Sequence, residues 1–480
     1  MLNNSSKPFQ PFLFDDLNQR KVVVDFSGGH VSSDGGLLLL GQLDRSLGIS
    51  RKLSGCFLDA RDQRWVEHSV MELVAQRILG LAAGYEDLND HNSLRLDPLM
   101  ALCAGKKDPL GNDRFHEQDR GKALAGASTL NRLELGNDKQ TRCHKITADH
   151  EAIESLLLDC GVQTLHKNTK EVVIDLDSTD DLIHGNQEGR FYHKYYDGYC
   201  YLPLYAFMGS VPLWAQLREA DVDGCKGSVP ALRKIVAAIR KRCPKARIIV
   251  RADSGFCREE IMVWCESQTQ VYYCLGLARN ERLLKHLEDA FFWTQIKATQ
   301  IGGMARSFVD FEYRTLDSWS RSRRVIGKAE VLKDKRNPRF IVTNLPEGGF
   351  SSKQSDRFST ANCYEQFYCA RGDMENKIKE QQLDLFADRT STHFMKSNQL
   401  RLWFSSFAQL MMERLRTIGL KGTSLAKATA GTIRVRLLKI GALFTVSVRR
   451  VHIQLASTFP LKGVFEAAHR TLKDWQAEST

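Results

Sequence analysis

The sequence predicts an α/β fold, and three observations carry that expectation. Two runs of β-branched residues, Val172-Val173-Ile174 and Ile248-Ile249-Val250, each lead into an aspartate, Asp177 and Asp253. Amphipathic helical spacing fills the stretch between them, giving a strand, helix, strand grammar. The same grammar continues past Asp253 through a helix and a further apolar strand.

From the N-terminus, residues 1 to about 20 are polar and read as a loose arm. Arg20 to Phe26 reads as a strand. Ser32 to Gly36 opens a leucine-rich helix to Leu47, because a polar stretch before an apolar run marks a helix start. Val70 to Ala83 is a second helix, with Val70, Leu73, Val74, Ile78 and Leu81 at helical spacing. Asp97 caps a third, with Pro98 at its first position. A fourth begins at Ser128. The first 150 residues are therefore expected to form a mostly helical region, and 165–280 the first part of an α/β core.

Within that core, Glu171 to Asp177, Phe191 to Tyr196 and Tyr201 to Met208 read as strands. Pro230 to Cys243 is a helix, Ala246 to Ala252 a strand, Arg258 to Ser267 a helix and Gln270 to Leu277 a strand. The grammar then breaks. Arg306 to Asp317, Arg323 to Leu332 and Arg339 to Thr343 alternate like antiparallel strands, so 281–355 is expected to be a β-rich insertion. Helices resume over Ala361 to Asp384 and Asn398 to Ile418 and complete the core as 356–420. The region 421–480 is basic, with strands at Val435 to Lys439 and Leu443 to Gln454 and a last helix from Val464 to Trp475.

Composition narrows the function classes. The chain has 480 residues, 42% hydrophobic and 26% charged, as in ordinary globular proteins. Its net charge of +11 favours a polyanionic partner, of which nucleic acid is the commonest. No stretch approaches the ~20 apolar residues of a membrane span. The N-terminus lacks a basic start joined to an apolar core, so a cytoplasmic, nucleoid-associated protein is expected. The twelve cysteines form no C-x-x-C pair and no zinc pattern, which points to free core thiols.

The chemistry-bearing residues converge on three carboxylates. Asp177 and Asp253 stand at strand ends, where sites form in α/β sheets. Asp253 precedes Ser254-Gly255 and can also cap the next helix. Asp175 shares the face of Asp177 and is its rival, with Asp180 and Asp181 weaker rivals past the strand end. Glu375 lies on a helix. At about 100° per residue, Tyr368, Arg371, Glu375 and Lys379 share one stripe, while Phe367, Ala370, Met374 and Ile378 share the next. The apolar stripe can pack on a sheet, leaving an acid beside cations. A solvated face with a Glu375–Lys379 ion pair is the plainer reading of that stripe. Three carboxylates are the oxygen donors that hard divalent cations take, and a metal pair can drive phosphoryl transfer.

At these residues the chain resembles bacterial insertion-sequence transposases with a DDE catalytic domain, of the group whose third carboxylate lies in a Tyr-x-x-Arg-x-x-x-Glu signature. Here that signature is Tyr368, Arg371 and Glu375. Asp177-Ser178-Thr179 and Arg251-Ala252-Asp253-Ser254-Gly255-Phe256 resemble the first- and second-aspartate motifs. Further likeness runs through His184 to Tyr205, Phe26 to Leu40 and Leu437 to Ala442. The resemblance implies an RNase H-like catalytic core interrupted by a β-rich insertion and preceded by a mostly helical DNA-binding region.

It implies that Asp177, Asp253 and Glu375 hold two Mg²⁺ ions, with Mn²⁺ as a substitute. It also implies binding of terminal inverted repeats, cutting at the element ends and joining of the 3′-OH to target DNA by a dimer on double-stranded DNA. Tyr368 and Arg371 would position the phosphate. Where the signature continues with a Lys, this chain has Gln382; Lys379 is the nearest substitute and Lys377 is less well aimed.

Candidate end-binding residues are Asn131, Arg132, Lys139, Arg142 and Lys145, with Lys439, Arg449 and Arg450 extending the track. Trp293 and Trp319 are candidates for stacking on an unpaired base. The alternatives are a decayed copy that still binds inverted repeats and an RNase H-like nuclease without strand transfer. A carboxylate-pair glycosidase is disfavoured by the basic charge.

Overall fold

The computed structural model describes residues 12–18, 20–135, 143–332, 335–350 and 356–479. Its centre is a mixed sheet of nine strands. Glu171–Ser178 (β1), Leu204–Met208 (β2), Val211–Gln216 (β3), Arg247–Ala252 (β4) and Val271–Leu277 (β5) supply the first part. Ala305–Tyr313 (β6), Arg323–Leu332 (β7) and Arg339–Thr343 (β8) supply the second, with the short Lys335–Arg336 beside β7. The spatial order is β3-β2-β1-β4-β5-β8-β7-β6. β1, β4 and β5 run parallel, and every other pair is antiparallel. The parallel centre explains why Val172 to Leu176 and Ile248 to Ala252 read as near-continuous apolar runs: both faces of these strands are covered.

The strands of 281–355 are not a separate sheet. β8 pairs with β5, and β7 and β6 lie outward of it, so they extend the same sheet. The first third of that stretch is helical, contrary to the β-rich expectation for it.

Helices complete the molecule. Leu37–Leu47 (α1), Val70–Ala83 (α2) and Ala127–Glu134 (α3) lie in the N-terminal region. Ser69 and Glu72 form a reciprocal capping box at the start of α2, and Gly84 ends it in the left-handed conformation. Ser228–Arg242 (α4), Glu259–Ser267 (α5) and Glu288–Ile301 (α6) cover one sheet face through Ile174, Leu176, Ile248, Val250 and Leu275. The opposite face meets a helical segment, 360–384, whose regular part is Gly372–Lys379 (α7), and then Met395–Arg414 (α8). Lys462–Ser479 (α9) closes the chain. Among the described residues no helix is long and apolar enough to cross a membrane.

Residues from the N-terminal and C-terminal regions share one hydrophobic core, with Leu40, Leu73, Ile78, Phe404, Met411, Leu437 and Leu472 all in it. The backbone N–H groups of Gly35 and Gly36 donate to the carbonyls of Ile440 and Leu438 at 2.8 and 3.0 Å. A Cβ on Gly36 would stand 2.1 Å from the Leu437 carbonyl oxygen, so only glycine permits this approach.

Three local expectations change. Phe12–Leu17 pairs with Arg20–Val24 as a hairpin where a loose arm was expected. Val435 to Leu438 is helical rather than a strand, within Arg434–Leu438, which continues Ala430–Ile433, and Lys439 lies just past its end; the strands are Ala442–Val446 and Val451–Leu455. The Phe191–Tyr196 strand stops at His193, and a turn with Asp197 at φ 51° leads into Gly198–Tyr201.

A buried ion triad ties the N-terminal helices to α8. Glu134 of α3 accepts from Arg77 Nε of α2 at 2.7 Å and from Arg401 Nε of α8 at 2.6 Å. Burial raises the Glu134 carboxyl, but the two arginines outweigh it and hold it below its ordinary value. Replacing Glu134 by Leu strands two guanidinium groups in the interior. The expected loss is about 3–5 kcal/mol in chemical denaturation; a loss below about 1 kcal/mol would mean that water reaches both arginines.

Candidate active site

The ends of β1 and β4 build the first half of the site. Asp177 is the last but one residue of β1, and its Oδ1 accepts the Ser178 N–H at 2.9 Å. Asp253 comes directly after β4 and caps the short turn Ser254–Phe256, its Oδ1 accepting the Gly255 N–H at 2.8 Å. β1 and β4 are parallel neighbours with Asp175 opposite Arg251, so the strands end level and bring the two aspartates together.

The rival Asp175 is committed elsewhere. Arg251 Nε and Nη2 grip its two oxygens at 2.6 and 2.8 Å, and Arg251 Nη1 donates to the Phe367 carbonyl at 2.5 Å. One guanidinium thus joins β1, β4 and the helical segment that carries Glu375. Asp181 is buried and bonded to Gln382, which takes it out of the candidate set.

That segment delivers the second half. Arg371 Nη1 donates to Asp177 Oδ2 at 3.1 Å and its Nη2 to Glu375 Oε1 at 2.6 Å. The partner of Glu375 is therefore Arg371, one turn before it, and not the Lys379 expected for a solvated stripe. Lys379 is exposed, while Met374 and Ile378 are buried against the core. Tyr368 presses its hydroxyl towards β5. A Cβ on Gly276 would meet Tyr368 Oη at 2.5 Å and the Ser254 nitrogen at 2.8 Å. Gly276 is thus a site residue that sequence reasoning missed; a glycine inside an apolar strand was its only signal.

The electrostatics are those of converging like charges. Burial first, then Asp253 and Glu375, push the Asp177 carboxyl up to about 6, with Arg371 opposing them. Burial works against the charge of Arg371, but Asp177, Tyr368 and Glu375 outweigh it and keep its affinity for the proton above the ordinary value. Burial pushes the Tyr368 hydroxyl up to about 12, so it stays a donor. Among the described residues no group of three or more His, Cys, Asp or Glu is drawn close enough to hold a metal ion, and the Arg371 guanidinium bridges Asp177 and Glu375. The donor set nonetheless fits a hard divalent cation: all its atoms are carboxylate oxygens, and their repulsion is what a cation relieves.

The remaining candidates fall into three groups. Arg132 and Lys145 line a cleft of about 370 Å³ with Arg61, Trp65 and His68, and Asn131 shares a neighbouring cleft with Arg132. Lys139 and Arg142 lie outside the described residues. Trp293 is 66% exposed on α6, whereas Trp319 is only 4% exposed and cannot stack on a base. The Trp319 ring is enclosed by Tyr313, edge-on at 5.7 Å, and by the Arg323 guanidinium at 5.4 Å. Lys439 is paired with Asp34 at 2.6 Å, while Arg449 and Arg450 are exposed in a hairpin turn.

The model of a family described as transposase DDE domain group 1 matches residues 14–477. Among solved structures, a piggyBac transposase synaptic complex with hairpin DNA is similar at 10% sequence identity and a TM-score of 0.40, over 93% of this chain and 85% of that one. No curated protein matches.

The raised Asp177 carboxyl fixes a sign. The folded protein binds this proton more tightly than the unfolded chain, so the group's contribution falls as pH climbs from 3.8 to about 6. In metal-free buffer, Asp177→Asn should be more stable than the parent above that window, by about 3 kcal/mol, and equal to it below. Melting temperatures across pH test this; an Asn variant that melts lower at pH 8 rules out net repulsion at the site.

Proposed function

The chain belongs to the transposase DDE domain group 1 family, and from that premise we propose that it is an active transposase of a bacterial insertion sequence. It binds the terminal inverted repeats of its element, cuts DNA at the ends and joins the freed 3′-OH to target DNA. The order β3-β2-β1-β4-β5, with the parallel strands central, supports an RNase H-like core. The observation that carries the reading is the shared guanidinium: Arg371 binds both Asp177 and Glu375, and Asp253 adds its field to Asp177.

In this reading Asp177, Asp253 and Glu375 are the ligands of two divalent cations, Mg²⁺ or Mn²⁺. The chemistry such a pair supplies when bound is activation of the attacking oxygen and stabilisation of the leaving one. The chain's own residues do the positioning. Arg371, matched to carboxylate oxygens, carries a fork that also fits phosphate oxygens and would hold the phosphate beside the three acids. Tyr368 donates its hydroxyl to the strand beside the cut. Exposed Lys379 offers a further phosphate contact one turn beyond Glu375. Asn131, Arg132 and Lys145 line clefts suited to the element end. Because two ends must be held together, the working form on DNA is a dimer, acting in the cytoplasm at the nucleoid.

A cleavage and joining assay on labelled element ends with Mg²⁺ tests this. The parent should nick the end and join the 3′-OH. Glu375→Gln should bind the same DNA and do neither, with a loss of at least about a hundredfold. Binding without cutting by both proteins points to a decayed copy, and cutting without joining points to a nuclease. Gly276→Ala provides a second test. The added methyl displaces Tyr368 or the Asp253–Ser254 backbone, so cutting should fall by about tenfold or more while DNA affinity holds. Unchanged cutting would separate Tyr368 from the chemistry.

A further inference from the structure

We propose that the hairpin Phe191–Tyr201 is a stacking platform for unpaired bases of the DNA strand led to the carboxylates. The proposal rests on the reading that the chain works on DNA and adds a binding site that reading does not contain.

The hairpin is rooted at the site. β1 ends at Ser178, and Asp181–Leu182 then pairs with Gly198–Tyr201, which pairs with Phe191–His193. Burial, then the fields of Asp180 and Asp177, push the Tyr196 hydroxyl up to about 12, so this ring lies within reach of the first carboxylate's charge. The root is held firmly. Tyr201 donates to the Glu188 carbonyl at 2.5 Å, and Arg218 Nε donates to the Leu202 carbonyl at 2.8 Å.

The tip is aromatic and open. Tyr195 is 84% exposed, and Phe191, Tyr192 and Tyr199 are about half exposed. Such residues in an aromatic strand would ordinarily fill a core. Here they pack edge-on against one another instead, Tyr192 against Tyr199 at 5.7 Å and Tyr195 against Tyr196 at 5.0 Å between ring centres. The Tyr192 hydroxyl donates to Asp197, which fixes the turn. Clustered exposed rings mark a binding surface.

Charge selects the occupant. Arg190 lies over the Tyr199 ring at 4.6 Å, and Lys194 is exposed beside Tyr195. His193, between Tyr192 and Lys194, keeps its Nδ1 buried and without a hydrogen-bond partner among the described residues, so it adds no contact to the open face. Rings interleaved with cations are what a single strand requires: a π-face for each base and charge for its backbone. Paired bases present no free face, so duplex DNA is not the occupant.

The experiment is fluorescence anisotropy with labelled oligothymidylate and with a duplex, on the full chain and without divalent cation. Tyr195→Ala and Tyr199→Ala should each weaken oligothymidylate binding by about tenfold, Tyr195→Phe should keep it, and duplex binding should not change. Alanine variants that bind oligothymidylate as the parent does overturn the proposal. So does equal loss of duplex binding, which would reveal a general basic surface. So does altered sedimentation of the DNA-free variants, which would assign the hairpin to a protein partner. The readout needs no catalysis. Ring-dependent binding in a chain that never cuts would leave the platform standing and sink the transposase reading, and cutting with ring-independent binding would do the reverse.

Discussion

The geometry of the candidate site depends on one buried ion pair that lies behind the three carboxylates. Arg251 and Asp175 face each other across the parallel pair β1–β4 and are both almost fully buried. A bidentate pair of this kind fixes register as well as contributing charge. Two residues further along each strand stand Asp253 and Asp177, so a slip of one position would turn an aspartate to the wrong face. The same guanidinium holds the Phe367 carbonyl, and its Cζ lies 5.3 Å from the Phe367 ring centre. Three pieces of chain distant in sequence thus meet at one planar group. Leaving either partner alone in this interior would be costly, which is why the pair specifies one arrangement strongly.

The segment carrying Glu375 is irregular for a reason that the site supplies. After a single α-turn at Thr360–Asn362, Cys363–Tyr368 is wound as π-helix, Cys369–Arg371 as 3₁₀-helix, Gly372–Lys379 as regular α-helix and Glu380–Asp384 as π-helix again. Such changes of winding concentrate at functional positions, because they aim side chains that a uniform helix cannot. Phe367 stays buried against the sheet while Tyr368 reaches Gly276. Ala370, placed on the buried stripe by uniform winding, is exposed instead, because the tight turn rotates it outwards. Arg371 gains by the same rotation its reach to Asp177.

Much of this was legible in the sequence where the signal was local. α2 spans Val70 to Ala83, as the spacing of its apolar residues predicts, since helical period is set by neighbouring residues. The strands bearing Asp177 and Asp253 announced themselves by their β-branched runs and by the small residues just beyond each aspartate. Long-range pairing was not legible. Nothing near Trp319 shows that Tyr313 and Arg323 enclose it. α6 was hidden because it buries only Phe291, Thr294 and Ala298, too sparse a stripe to show helical period. That β8 joins β5 depends on edges of the sheet that no single stretch of sequence records. The role of Asp175 is the same kind of case: periodicity put it on the face of Asp177, and only the neighbouring strand shows that Arg251 has claimed it.

Position 382 shows how a departure from a signature can be compensated nearby. Gln382 Nε2 donates to Asp181 Oδ1 at 2.9 Å and to the Asp180 carbonyl at 3.1 Å. Asp181 is wholly buried, and burial pushes its carboxyl up to about 8, so at neutral pH it is largely the uncharged acid. A neutral amide suits a neutral acid, since neither must be desolvated as an ion. A lysine here would bring an ammonium into the same enclosure and draw Asp181 into its charged form. Amide or ammonium, the side chain fastens the end of the Glu375 segment to the strand that leaves Asp177. Reaching a phosphate would mean abandoning Asp181 in the interior, so position 382 acts on the site through the placement of the helix.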